Sequence, residues 1–264
     1  PEHETQSHLM VRKTLQDERF YLVYQPIVSL AEDKQQRYEV LLRILDEEGE
    51  VVLPSQFLEV AESMGLSGEV DIWVIENAFK KLAELQRGDK DATFYIKVSG
   101  KTIADRELAL WIDTKMNDYQ LQRENVVIEI AEEAVLNDME NSMAFVTAMH
   151  NLNCKVALEH YGASSPPQVL KRLPVDVLKV NGGLIAGMAG SEENQVTVKT
   201  IITLARDLGM ECVAEQVEDT VVLALLWQYG VQLVQGNFVQ IPSRNLDYNF
   251  EASVTGNESS VFSA

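Results

Sequence analysis

Polar and charged residues recur late in almost every apolar stretch of this chain. The series is Gln25 in YQPI, Glu39 and Arg43 in YEVLLRI, Lys97 in YIKVS, Glu129 in VVIEI, Glu159 and His160 in ALEHY, Lys179 and Asn181 in VLKVN, Glu215 in VAEQV, and Gln235 in LVQGNF. Taken singly, each has an ordinary role, as a rim ion pair or a structural histidine. Carboxylates that converge are the usual host for hard divalent ions. Here two lysines, a histidine and an asparagine are mixed in with them. A protonated ammonium has three donors and no lone pair, so it cannot ligate a metal.

Only a fold that gathers strand ends could bring the series together. The stretches FYLVYQPIVSL (20–30) and YEVLLRIL (38–45) are strand-like, and the turn-rich AEDKQQR between them is too short for a helical crossover. They should therefore pair as an antiparallel hairpin. Helical patterns near 55–64 and 69–87 then lead to the strand TFYIKVS (93–99). Helices near 104–121 and 138–152 precede NVVIEIAEE (125–133) and KVALEHYG (155–162), and PPQVLKRLP (166–174) precedes VDVLKVNG. The last two units end in MECVAEQV and LVQGNFVQ (233–240), with Gly88, Gly209 and Gly230 placed as helix stops. Eight strands alternating with helices over this length predict an α/β fold, a TIM-like (β/α)8 barrel with an antiparallel first strand pairing. The expected organisation is a frayed segment at 1–9, a barrel over 10–242 and a polar C-terminal segment at 243–264, the last either disordered or docked outside.

The chain has 264 residues, 46% of them hydrophobic, enough for a large core. Its net charge of -19 argues against non-specific nucleic-acid binding, which needs a basic surface. An anionic ligand must then be held by a locally positive pocket. Cys154 and Cys212 lie far apart in apolar strands and read as buried thiols rather than a metal motif or disulfide framework. No apolar run reaches membrane-spanning length and no signal peptide is visible, so the expected location is the cytoplasm.

YEVLLRI resembles the signature segment of the EAL domains, a family of cyclic di-GMP phosphodiesterases, with Val40 where the signature has Ala. The resemblance continues in order through QPIVSL, PSQFLEVAESMG, VVIEIAEE, LKRLPVDVLKVN, VAEQVED and QGNFVQIP. It implies a barrel in which two divalent metals polarise a phosphodiester and activate water. Glu39 falls on the signature glutamate and Glu129 on the next ligand carboxylate. Lys179 matches the catalytic lysine, Glu215 a ligand or supporting glutamate, and Gln235 a site glutamine. Three positions depart: Lys97 stands for a metal-binding asparagine, Glu159-His160 for an aspartate pair, and Asn181 for an aspartate. Lys97 is expected to replace the cation by neutralising Glu39 and Glu129.

The residues that would hold the nucleotide persist. By the same resemblance Arg43 binds phosphate, Gln25 and Asp71 contact guanine, and Leu41, Pro54 and Phe57 form an apolar wall. Phe238 could stack on a base. The resulting expectation is a catalytically inactive, degenerate EAL domain: a cyclic di-GMP receptor that needs no metal and no cofactor. The variant signature is similar to the receptor branch of the family, which governs type IV pili and twitching motility and is read by a PilZ-domain partner. The alternatives are a slow metal-dependent phosphodiesterase and a scaffold that has lost nucleotide binding.

Overall fold

In a computed structural model, residues 13–14, 19–31, 33–46, 48–52, 54–162 and 166–251 are described. The segment expected to fray at 1–9 and the last part of the polar tail, 252–264, lie outside them. Ten strands form one sheet: β1 (Phe20–Pro26), β2 (Val28–Ser29), β3 (Gln36–Leu45), β4 (Val51–Val52), β5 (Ala92–Lys97), β6 (Val126–Ala131), β7 (Lys155–Tyr161), β8 (Val177–Val180), β9 (Glu211–Ala214) and β10 (Leu233–Val234).

The predicted hairpin is present, with β1 antiparallel to β3 from Phe20 opposite Ile44 to Pro26 opposite Tyr38. Proline has no N–H to give a ladder, and the first strand breaks there into β1 and β2. The break lets one segment serve both ends of the sheet, because β2 pairs antiparallel with β10. The order β1-β3-β5-β6-β7-β8-β9-β10-β2 therefore closes into a barrel. From β3 to β10 the path is parallel.

Three details differ from the expectation of eight strands. The first strand is split, a short β4 pairs with the end of β3, and the stretch 233–240 is a strand only at Leu233–Val234. The last has a packing cause. Beyond Val234 the chain wraps around Val217, which donates its N–H to Gln235 O and accepts from Phe238 N. Gly236 allows this approach, since a β-carbon there would stand 2.2 Å from Val217 O and 2.3 Å from Val217 N.

Two apolar layers follow from strand alternation. Outward residues such as Phe94, Ile128, Leu158, Leu178 and Cys212 pack under the helices in the main core. Inward residues Ile27, Tyr95, Val127, Ala157, Val177, Val213 and Leu233 form a plug inside the barrel. Helices leave the mouth at capped turns: Asp219 accepts from Val222 N at the start of the helix Thr220–Tyr229, and Ser191 from Asn194 N at the start of Glu192–Asp207. Gly230 ends the former at φ +76°, the left-handed stop that glycine tolerates.

Part of the polar tail is docked. Ser243 exchanges backbone hydrogen bonds with Tyr24, Arg244 stacks on the Tyr21 ring at 3.8 Å, and Phe250 packs edge-on against Tyr38. Both cysteines are buried free thiols. Among the described residues, no helix is long and apolar enough to cross a membrane.

Gly236→Ala should destabilise the domain by about 1–3 kcal/mol, the usual range for overpacking. The opposing atoms are backbone and cannot rotate away. Urea unfolding of parent and variant checks this, and equal midpoints would show that the 217–236 contact relaxes freely.

Candidate functional site

The inner plug and the polar series are related by one step of strand alternation. Two residues beyond each inward apolar residue stands a polar one: Tyr95 and Lys97, Val127 and Glu129, Ala157 and Glu159, Val177 and Lys179, Val213 and Glu215, Leu233 and Gln235. In β1 the order reverses, with Gln25 two residues before Ile27, because that strand runs the other way. Gln25 thus reaches the mouth by lying opposite Glu39 in the expected antiparallel β1–β3 pair.

Lys179 is the hub. Its fully buried Nζ lies 2.6 Å from Glu129 Oε1, 3.0 Å from Glu39 Oε2 and 3.0 Å from Glu215 Oε1. Three ammonium protons meet three carboxylates. Lys97 Nζ forms a second bridge, 3.0 Å from Glu39 Oε1 and 2.7 Å from Glu159 Oε2. The expected pairing of Lys97 with Glu129 is corrected here: Glu129 belongs to Lys179, and Lys97 takes Glu159 instead. Register explains it. Glu129 lies beside Lys97 across β5–β6, level with the buried ammonium, while the Lys97 side chain rises toward solvent and is 39% exposed. The Gln235 amide donates to both Glu39 and Gln25, and Gln25 donates to Gln240 O.

These contacts set the protonation states. Burial would raise Glu39, but the ammoniums of Lys179 and Lys97 and the Gln235 amide outweigh it and hold the carboxyl well below the usual range. At Glu129 burial dominates and, with the Glu39 and Glu159 charges, pushes the carboxyl up to about 8 against the pull of Lys179. Burial disfavours the Lys179 ammonium, yet Glu129, Glu39 and Glu215 hold it well above its ordinary value. Lys97 is held up in the same way by Glu39 and Glu159. His160 Nδ1 lies 3.3 Å from Glu215 Oε2, and that contact raises the imidazole against its partial desolvation.

The family implies a pair of metals, and the donors can be compared with that need. Carboxylate oxygens of Glu39, Glu129 and Glu159 lie within 4.8 Å of one another, as do ligand atoms of Glu159, His160 and Glu215. Both ammoniums already sit on the first group. As they stand, these side chains suit ammonium pairing better than a two-metal clamp.

Above the cluster opens a cleft of about 260 Å³, lined among others by Gln25, Glu39, Leu41, Arg43, Lys97, His160, Glu215 and Gln235. The structure thus gathers the polar series with Leu41 and Arg43. Arg43 spends one Nη1 bond on Leu42 O. Other expected residues go elsewhere. Phe57 is fully buried and packs edge-on against Phe20, so it belongs to the core and not to a cleft wall. Asp71 is corrected likewise. Its Oδ2 accepts from Ser99 N, Ser99 Oγ and Thr102 Oγ1, which holds it at the helix start 99–102, and it does not line the cleft. Pro54 begins the helix Pro54–Ser63 and does not line the cleft. Asn181 turns its Oδ1 to Gly183 N and caps the next short helix. Phe238 is exposed beside the cleft residue Asn237. Gln216, Glu218, Asn237 and Pro242 also line the cleft and were not among the expected residues. Their signal was position, in the loops that follow Glu215 and Gln235 at the mouth.

The chain matches the EAL domain family over residues 8–242 and belongs to it. It is 26% identical over 238 residues to the cyclic di-GMP phosphodiesterase PdeF of Escherichia coli, covering 90% of this chain and 32% of that protein. The chain therefore spans about a third of that relative's length. Among solved structures it is similar to the FimX EAL domain of Pseudomonas aeruginosa bound to cyclic di-GMP, with TM-score 0.87, 30% identity, and coverage of 93% of this chain and 100% of that one. The Xanthomonas citri FimX EAL domain in complex with cyclic di-GMP gives TM-score 0.85 and 26% identity, over 92% and 96% of the two chains.

Two outcomes follow from the ion cluster. Lys179→Met should destabilise the fold by about 3–5 kcal/mol, because it strands buried carboxylates without a counter-charge; denaturant melts test it. His160 has a raised folded pKa, so its contribution is complete below its unfolded value near 6.5 and fades as pH climbs through the folded value. The stability difference between parent and His160→Gln should accordingly shrink as pH rises from about 6. A difference independent of pH would mean that the Glu215 contact does not favour the imidazolium.

Proposed function

We propose that this EAL domain is a cyclic di-GMP receptor that holds the dinucleotide at the barrel mouth without metal and without turnover. The carrying observation is the Lys97 ammonium lying across Glu39 and Glu159, at a position where the family resemblance calls for a metal ligand. A two-metal reaction needs open coordination sites and a fixed clamp. Here a permanent cation neutralises the same carboxylates. Lys97 and Arg43 then present positive charge to the cleft of a strongly acidic chain, which is what a phosphate diester needs.

The size of the cleft agrees with partial entry. Sites that enclose drug-sized ligands run to about 300–1,000 Å³, more than the 260 Å³ here. The phosphates would enter beside Arg43 and Lys97 while the bases splay over the rim, near Leu41, Gln25 and Phe238. The solved FimX complexes with cyclic di-GMP support this class of ligand. The signal would pass to a PilZ-domain protein that controls type IV pili and twitching motility, a reading that rests on the variant signature. The partner would use the outside of the barrel or the C-terminal segment, leaving the mouth to nucleotide. A slow phosphodiesterase is the second reading, favoured by the clustered oxygens of Glu39, Glu129 and Glu159 and by the relative PdeF.

Calorimetry with cyclic di-GMP should give the same affinity with chelator as with magnesium. Arg43→Ala should weaken binding about 10- to 150-fold, as expected for hydrogen bonds to a charged group, and Arg43→Lys should not restore it, lacking the bidentate fork. Overnight incubation with magnesium or manganese should release no linear product from the parent. The set Lys97→Asn, Glu159→Asp, His160→Asp and Asn181→Asp should yield slow product at best. Metal-dependent turnover by the unmodified protein would establish the phosphodiesterase reading instead.

A further inference from the structure

Larger than the cleft at the mouth is a groove of about 550 Å³ between the start of the helix Ser67–Arg87 and the start of the helix Leu108–Tyr119. It falls within the range of sites that enclose small molecules, about 300–1,000 Å³. Ile72, Leu108 and Trp111 give it an apolar wall. Two glycines keep it open. A β-carbon on Gly65 would meet nothing within 4 Å, and one on Gly68 only Thr102 Oγ1 at 3.9 Å.

The helix Ser67–Arg87 has 21 residues, and Leu66 stands at its N-cap without a side-chain hydrogen bond. The N–H groups of Ser67, Gly68 and Glu69 find no acceptor among the described residues. Unanswered N–H groups at the head of a long helix, with its dipole behind them, attract an anion. Ser67 adds a hydroxyl at the same place. It is only 8% exposed and lines the groove, yet its Oγ has no hydrogen-bond partner among the described residues. The little surface that Ser67 keeps includes that oxygen, so the hydroxyl opens on the groove. A polar group this deeply placed is ordinarily satisfied. The neighbouring hydroxyl, Thr102 Oγ1, is already committed to Asp71.

Charge on the rim narrows the ligand further. Glu69, Asp105 and Glu107 are exposed there. Lys101, the one basic residue lining the groove among the described residues, turns to Glu62, with Nζ 3.0 Å from its backbone oxygen. Three carboxylates oppose a dianion such as phosphate and favour a ligand that carries a cation beside its anion. We infer that this groove binds a free apolar α-amino acid. Its carboxylate takes the N–H groups of residues 67–69 and Ser67 Oγ, its ammonium faces the rim carboxylates, and its side chain lies against Ile72, Leu108 and Trp111. The site stands apart from the mouth and does not depend on what binds there.

The test is calorimetry of the full chain with L-phenylalanine and L-leucine, up to about 10 mM, where even a weak site fills, with thermal melts alongside. At least one of the two should bind saturably. Its amide, which lacks the carboxylate, and its desamino analogue, which lacks the ammonium, should each bind at least about 10-fold more weakly. Ser67→Ala removes one unbonded oxygen, so it should keep Tm and weaken binding about 3- to 10-fold. Gly68→Leu should fill the groove and abolish binding, yet keep or raise Tm, because leucine is the better helix former. Failure of both amino acids to bind would overturn the assignment. Binding that survives Ser67→Ala and Gly68→Leu undiminished, or that is indifferent to loss of either charge, would overturn it as well.

Discussion

The buried ammonium of Lys179 governs what the mouth of this barrel can be. A charge taken fully out of water is tolerated only when paired with good geometry. Lys179 meets that demand with Glu39 from β3, Glu129 from β6 and Glu215 beyond β9. The same contacts tie three separate strands to β8. Glu39 offers its other oxygen to Lys97 and Glu215 its other oxygen to His160, while the Gln235 amide joins Lys179 on the same Glu39 oxygen. The polar floor of the cleft is thus one connected network.

The network rests on an apolar plug. Ile27, Tyr95, Val127, Ala157, Val177, Val213 and Leu233 fill the barrel directly below it and keep water from reaching the ions from beneath. The two layers share a strand geometry in which every second residue faces inward. A shift of one residue in any strand would turn a lysine or glutamate outward into the apolar core under the helices. The cluster and the strand register are therefore specified together.

Charge balance links this architecture to function. Four glutamates face two lysines, and His160 and Glu129 both lean toward protonation. Lys97, partly exposed at that floor, and Arg43 are the lysine and arginine that line the cleft. An aspartate in place of Glu159 would fall short by a methylene at a contact of 2.7 Å, which gives a physical reason for the longer acid beside a lysine.

The alternation of strands and helices, the antiparallel opening pair, and the series from Gln25 to Gln235 were legible because each depends on local periodicity and short spacing. The match of YEVLLRI to the EAL signature was legible for the same reason, as was the presence of an ammonium at position 97. Partner choice was not. Whether Lys97 reaches Glu129 or Glu159 depends on the stagger of β5, β6 and β7 and on the prior claim of Lys179, which lies 50 residues from Glu129. Asp71 and Phe57 sit in recognisable motifs, yet tertiary packing turns one onto Ser99 and Thr102 and the other onto Phe20. The left-handed turn at Gln216 carries no glycine to announce it, and only the approach of Gly182, at the start of the short helix after β8, shows where its side chain lies. Spacing along the chain determines which residues arrive at the mouth; how they pair there is decided by strands that meet only when the barrel closes.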